Sequence, residues 1–387
     1  MDQLNFLILR LSAVGDVIRT LPAVKALKEY YPTSSITWIT EESSRTLLES
    51  QPEIDEIILF PRKRWTDGMK SMRRMWRTAG EVYGFILGLR RRRFDVVLDF
   101  HGILKSGFLS FFSGTPKRIG FDRWSSKEGN FLFSNIKVRL PKERISRFQK
   151  NFALLRGMGL EVNPVRNANG SLNPAGIIVK STSAAEQRGI ISNGVNHFSP
   201  KLHIPEEDRD YIESFFNTLS MPIKRPFVAI HPGTSPKTIY KRWMANQYSQ
   251  LSDRLIGELN ATVIFTWGPG ELRWVEGIRK QMKEPSILGP QTESLTKLGE
   301  IFRRCNLYIG SDTGPMHIAS FMGIPVVVIY GPTDPIVNEP FGRHKKVRKE
   351  VGCNPCRKRS CKELTCLKSI QVDDVFKATK EILCVTT

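Results

Sequence analysis

"IGSDTGPMHIASFMGIPVVVIYGPTDP", residues 309–335, sets the terms for the fold. An apolar run stops at Ser311-Asp312-Thr313-Gly314, and a segment of helical spacing follows. A second apolar run, Pro325 to Tyr330, stops at Gly331-Pro332-Thr333-Asp334. Short apolar strands that end in turns and alternate with helices predict a parallel sheet buried on both faces. The same unit recurs on either side. "FVAIHPG" (227–233), "TVIFTWGPG" and "SILGP" precede it in the second half. In the first half "LNFLILRL" (4–11) runs into Ser12-Ala13-Val14-Gly15-Asp16, and a helical "VIRTLPAVKALKEYYP" follows to Pro32. "SITWIT", "EIILF" and "FDVVLDF" (94–100) continue the series, the last ending at His101-Gly102 before a helix-like "ILKSGFLSFFSG". The alternation predicts an α/β chain with doubly wound parallel sheets.

The chain has 387 residues, which suggests two domains. Residues 163–205, rich in Asn, Ser, Gly and Pro, read as an interdomain linker with an insertion. The expected division is an N-terminal domain at 1–165, the linker at 166–205, and a C-terminal domain at 206–350. A Cys-rich segment and helix then fill 351–387. No apolar run reaches the roughly 18 residues of a membrane span. Met1-Asp2-Gln3 carries no basic lead and Leu4 to Leu9 is short for a signal peptide, so a cytosolic location is expected.

The net charge of +20 calls for an anionic partner: nucleic acid, a membrane surface, or a phosphorylated or carboxylated substrate. Much of the excess lies in Arg62-Lys63-Arg64, Arg73-Arg74, Arg77 and Arg90 to Arg93. A solvated face that only aids solubility is the plainer alternative. Six cysteines fall at 305, 353, 356, 361, 366 and 384. Cys353, Cys356, Cys361 and Cys366 are close enough in sequence to consider zinc, but the uneven spacing favours reduced thiols.

Ligands of open parallel sheets bind at the carboxyl ends of strands. Ser12, Gly15 and Asp16 follow the first strand there. His231, Gly233, Thr234 and Ser235 follow "FVAI", Glu271 follows "VIFTWGPG", and Asp312, Thr313 and Gly314 follow "LYIGS". Gly15-Asp16 reads equally as a turn with a helix cap. The 311–314 turn is a helix start, and a helix start with free N–H groups also suits a diphosphate. Lys241 alone is one lysine among many. His317, one turn into the helix, reads as packed rather than catalytic. Neither the dinucleotide G-x-G-x-x-G nor the P-loop pattern occurs.

Five motifs in order, "ILRLSAVGDVIRTLPAVKALKEYYP", "FDVVLDFHGILKSG", "HPGTSPKTIYKRW", "GPGE" and "SDTGPMHIASFMGIPVVVIYGPTDP", resemble glycosyltransferase family 9. These are the bacterial ADP-heptose:lipopolysaccharide heptosyltransferases. The resemblance extends from about residue 4 to 380, the linker excepted. It implies a GT-B fold, two Rossmann-like domains facing a central cleft, and inverting sugar transfer without a metal or cofactor. It implies Asp16 as the base and Lys241, Thr234 and Ser235 at the donor phosphates. Asp312, Thr313 and Gly314, with His317 nearby, would grip the leaving diphosphate, and Glu271 the ribose. Asp312 itself is expected to cap the helix.

The implied acceptor is the Kdo–lipid A inner core at the inner face of the inner membrane. Ser12, Gly15, Arg62, Arg64, His101, Lys105, Arg118 and Arg123 are the candidates to meet it. His101-Gly102 stands where the family often has Gln-Gly. The enzyme is then expected to be a monomer, peripheral on the membrane, with no nucleic acid bound. The alternatives are a GT-B transferase with another nucleotide sugar or acceptor, and a basic nucleic-acid-binding protein.

Overall fold

A computed structural model describes residues 3–70, 72–166, 172–181, 196–198, 201–356 and 358–384. They form two compact units. One runs through Val165 and takes in the 175–200 stretch; the other takes 166–174 and the chain from Lys201.

In the first unit, strands β1 (Asn5–Leu9), β2 (Ser35–Thr40), β3 (Glu56–Leu59), β4 (Val96–Asp99), β5 (Lys117–Phe121) and β6 (Ile136–Val138) form a parallel sheet ordered β3-β2-β1-β4-β5-β6. Phe6, Leu7, Ile8 and Leu9 of β1 are fully buried, as an apolar run in a sheet covered on both faces requires. The helices of this unit are α1 (Val14–Tyr30), α2 (Arg45–Glu49), α3 (Arg62–Met69), α4 (Met72–Arg91), α5 (Leu104–Phe112) and α6 (Arg147–Leu154). Helix α6 packs on α1, where Asn151 Nδ2 donates to the Arg19 carbonyl at 2.8 Å. The chain winds outward from β1 to β3 and then returns to β4. The carboxyl ends of β1 and β4 are therefore the topological switch point.

The second unit repeats that winding. Strands β10 (Phe227–His231), β11 (Thr262–Phe265), β12 (Ile287–Leu288), β13 (Leu307–Ser311), β14 (Val326–Ile329) and β15 (His344–Val347) are ordered β12-β11-β10-β13-β14-β15, all parallel. The switch point lies where His231 pairs with Gly310. Helices α7 (Glu206–Asn217), α8 (Ala245–Leu259), α9 (Leu272–Arg279), α10 (Leu295–Arg304), α11 (Gly314–Phe321), α12 (Thr365–Lys368) and α13 (Val372–Cys384) accompany the sheet. The Cys-rich end is part of this core. Leu367, Ile370, Val375, Phe376 and Ile382 are buried in it, and Trp243 Nε1 and Gln247 Nε2 both donate to the Ile370 carbonyl.

The stretch read as an irregular linker contains regular structure. Strands β7 (Leu160–Arg166), β8 (Leu172–Ser181) and β9 (Asn196–Phe198) form a third sheet, with Ile177–Val179 antiparallel to Asn196–Phe198. The apolar run Ile177-Ile178-Val179 is too short to outweigh its Pro, Gly and Asn neighbours in a sequence reading. Residues 167–171, 182–195 and 199–200 of that stretch lie outside the described residues.

Candidate active site

At the first switch point the chain leaves β1 through Arg10. Its Nη1 donates to the Phe100 carbonyl at 2.6 Å, and Leu11 N donates to His101 Nδ1 at 3.1 Å, which ties the ends of β1 and β4 together. Asp99 organises the partner loop. Its Oδ1 accepts from the backbone N–H groups of His101 and Gly102, and its Oδ2 from Asn130 Nδ2. Gly102 sits at φ +68°, a conformation that favours glycine.

Asp16 lies in the first turn of α1, and three guanidinium groups converge on its carboxylate. Arg10 Nη2 is 2.6 Å from Oδ2, while Arg19 Nη2 and Arg147 Nη1 are each 2.5 Å from Oδ1. Burial pushes the Asp16 pKa up, but the charges of Arg10, Arg19 and Arg147 override it. The carboxylate is held far below its ordinary range. Two neighbouring basic groups are also shifted. Burial first, and Arg10 next, push His101 down to about 4 and Lys150 down to about 8. Asp16 is thus firmly ionised, and in this clamp it is a weak proton acceptor.

At the second switch point His231 ends β10. Its Nδ1 lies 3.0 Å from Thr266 Oγ1, and its Nε2 is 3.4 Å from Glu271 Oε2. Glu271 Oε2 also accepts from Gly268 N at 2.8 Å. Burial pushes the Glu271 carboxyl up, yet His231, Gly268 and Arg242 hold it below its ordinary value. Gly233 is needed at this spot because a Cβ there would lie 2.0 Å from Glu271 Oε2. Arg242 spans the loop, donating to the Thr234 carbonyl at 2.7 Å and to its hydroxyl at 3.1 Å.

Across the switch point, Lys241 Nζ donates to the Asp312 carbonyl at 2.9 Å and to its Oδ2 at 3.2 Å. A lysine ammonium is therefore held two residues ahead of the first residue of α11. His317 Nε2 is 3.8 Å from Asp312 Oδ1, so the carboxylate lies between lysine and imidazole.

The chain matches the model of glycosyltransferase family 9 (heptosyltransferase) over residues 82–367, most of its length. The chain belongs to glycosyltransferase family 9. Its relatives include the lipopolysaccharide core heptosyltransferase OpsX of Haemophilus influenzae, 27% identical over 86% of this chain and 81% of the relative. Lipopolysaccharide heptosyltransferase 1 of Pseudomonas aeruginosa is 23% identical over 92% and 87%. Among solved structures, a family 9 transferase from Veillonella parvula has a TM-score of 0.69 at 23% identity, covering 99% of this chain and 98% of that one. E. coli heptosyltransferase WaaC with ADP has a TM-score of 0.68 at 17% identity, covering 98% and 100%. The fold is GT-B, built from two doubly wound α/β units, and this family 9 chain is a glycosyltransferase.

The family 9 resemblance picked residues that the structure gathers unevenly. In the first unit Ser12, Gly15, Asp16 and His101 lie at the switch point. Arg62 reaches the same edge through Glu41, 3.2 Å away, whose N–H donates to the Leu11 carbonyl. Arg64, on the same short helix, pairs with Glu81. Lys105 is exposed in the first turn of α5, and Arg123 is exposed just past the carboxyl end of β5.

Arg118 pairs across from Val97, near the amino end of β5, and donates to the Thr115 and Phe133 carbonyls. Asp312 is a correction: Thr313 is the residue that precedes α11, no side chain caps it, and the Asp312 carboxylate holds Lys241 instead. In the second unit the Thr234 hydroxyl already accepts from Arg242, and the exposed Ser235 hydroxyl lies 2.9 Å from that of Thr238. Among the described residues no group of three or more His, Cys, Asp or Glu is arranged to hold a metal, and the cysteines are free thiols.

Arg10, Arg19, Arg147 and Lys150 escaped the sequence reading. Arg10 interrupts the run "LILRL", and a charge buried in a strand's end needs a partner nearby. Arg19 is three residues after Asp16 on one helix face. Arg147, 131 residues away, gives no local signal.

Proposed function

We propose that this chain transfers heptose from ADP-heptose to the Kdo–lipid A inner core of lipopolysaccharide, with inversion and without a metal ion. The observation that carries the reading is the Lys241 ammonium fixed on Asp312 at the start of α11. A lysine beside the free N–H groups of a helix start is a site for the diphosphate whose charge grows as the glycosidic bond breaks. Relatives named as lipopolysaccharide heptosyltransferases, and a neighbour solved with ADP, support the choice of donor and acceptor. In the reaction the acceptor hydroxyl oxygen bonds to the anomeric carbon as the bond to the diphosphate breaks. The electron pair leaves with ADP, and the hydroxyl proton passes to Asp16.

The location follows from the acceptor. We read the outer face of α4 as a membrane-contact surface. Arg73, Trp76, Arg77 and Tyr83 share one helical face, and all are exposed, Trp76 by 81% and Tyr83 by 64%. Arg90 and Arg92 are committed elsewhere, to the Phe112 carbonyl and to Glu56. Among the described residues no helix is long and apolar enough to cross a membrane. Basic and aromatic residues on one face suit an anionic leaflet.

The test is a panel of thermal shifts with ADP, UDP, GDP and single-stranded DNA, followed by product analysis with ADP-heptose and Kdo–lipid A. Selective stabilisation by ADP and a heptosylated product are expected. Stabilisation by another nucleotide would move the donor assignment, and by DNA alone would overturn the reading. Co-sedimentation with anionic vesicles should fall for Arg73→Gln/Trp76→Ala/Arg77→Gln; unchanged binding would remove the membrane surface.

A further inference from the structure

Three guanidinium groups on one carboxylate are more than its charge can satisfy. Two of them, from Arg19 and Arg147, share the same Asp16 oxygen. The three are not equally committed. Arg10 also donates to the Phe100 carbonyl and Arg19 to the Gly15 carbonyl, and their side chains are 11% and 8% exposed. Arg147 is 34% exposed and comes from the first residue of α6. A cation at a helix start faces the positive end of the helix dipole, so its position there is held against that field.

We infer that Arg147 masks the Asp16 carboxylate until acceptor arrives, when an anionic group of the acceptor draws its guanidinium off Oδ1 and frees Asp16 to accept a proton. The inference rests on Asp16 as the base and deepens that reading. Arg10 and Arg19, tied to the backbone, stay in place and orient the carboxylate. The surplus positive charge of Arg10, Arg19 and Arg147 around one carboxylate attracts the incoming acid. Arg147 is then a positioning residue that makes base strength depend on the correct acceptor.

The mask has a purpose that can be measured. Without it, water could replace the acceptor: its oxygen bonds to the anomeric carbon, the carbon–oxygen bond to the diphosphate breaks with its electron pair, and the water proton goes to Asp16. The donor would be wasted.

The experiment follows ADP release by the full chain from ADP-heptose with no acceptor, in wild type, Arg147→Gln and Arg147→Lys. Loss of one of three cations should speed hydrolysis about 3- to 10-fold, because a carboxylate's rate as a base follows its basicity in part. Arg147→Lys, which keeps the charge but not the planar fork, should rise less and serves as the comparison if the Gln variant melts early. In transfer assays both variants should raise the acceptor KM more than they change kcat. ADP release at the wild-type rate by a stably folded variant overturns the mask. So does a double variant, Asp16→Asn/Arg147→Gln, that hydrolyses as fast as Arg147→Gln. Absence of any transfer from ADP-heptose by wild type would instead defeat the functional reading itself.

Discussion

Replacing Asp16 with asparagine should do two separable things: stop transfer and destabilise the first unit. The second follows from the geometry. Asp16→Asn leaves Arg10 and Arg19, 11% and 8% exposed, facing one another and Arg147 without a counter-charge. Removing one partner of a buried ion pair costs about 3–5 kcal/mol, and the low end applies because Asp16 keeps some solvent contact and asparagine retains a carbonyl acceptor. At roughly 2–4 °C per kcal/mol for a unit of this size, the first transition should fall by about 6–12 °C.

The pH dependence has a definite sign. The folded pKa of Asp16 lies below its unfolded value, so the stabilisation is fully present above the ordinary carboxylate range and is lost only as pH falls through the folded value. The gap between wild type and Asp16→Asn should therefore persist from pH 8 down to about 5 and narrow only below about 4. Calorimetry across that range reads it directly. A variant that melts within 2 °C of wild type at pH 7, on the scale above, would refute the claim that Asp16 neutralises this cluster.

Lys241→Ala should weaken ADP binding and slow transfer while EDTA leaves wild-type turnover intact; a strict requirement for a divalent ion would contradict the role given to the lysine. His101, held neutral down to about 4, binds fewer protons folded than unfolded, so wild-type stability should fall as pH drops from about 6.5 toward 4. His101→Gln should flatten that part of the melting-temperature profile, and an unchanged profile would assign the loss to other groups. Gly233→Ala should displace the Glu271 carboxylate from Gly268 N, lowering both the melting temperature of the second unit and ADP affinity. Titration calorimetry showing wild-type affinity would mean the loop accommodates the methyl group.

The strands at the centre of each sheet were legible because buried parallel strands are continuous apolar runs, as in "FLIL" and "VVVI". Strand β5, "KRIGF", was not, since a lysine, an arginine and a glycine mask the run. Asp16 was legible as a strand-end position because winding alone places it there, whereas Lys241, well past the end of β10, came only from the family resemblance. The partners of Asp16 were not, since Arg147 meets it only through the packing of α6 on α1. Asp312 misled for a related reason. An acid before a helix suggests a cap, but the lysine that claims it lies 71 residues away.

The closing helix has a bearing on how the protein is made. The second core begins with β10 at Phe227, yet Ile370, Val375, Phe376 and Ile382 fill it, and Ile370 supplies the acceptor for two side chains buried beside β10. Four such side chains contribute about 6–12 kcal/mol, comparable to the whole stability of a typical domain. Synthesis runs from the amino end, so the first unit has all of its sheet while the second still lacks part of its interior. The second unit then waits on the ribosome, exposing apolar sheet to chaperones until α13 emerges. Shortening the chain at residue 367, where the family match stops, would leave it in that state permanently.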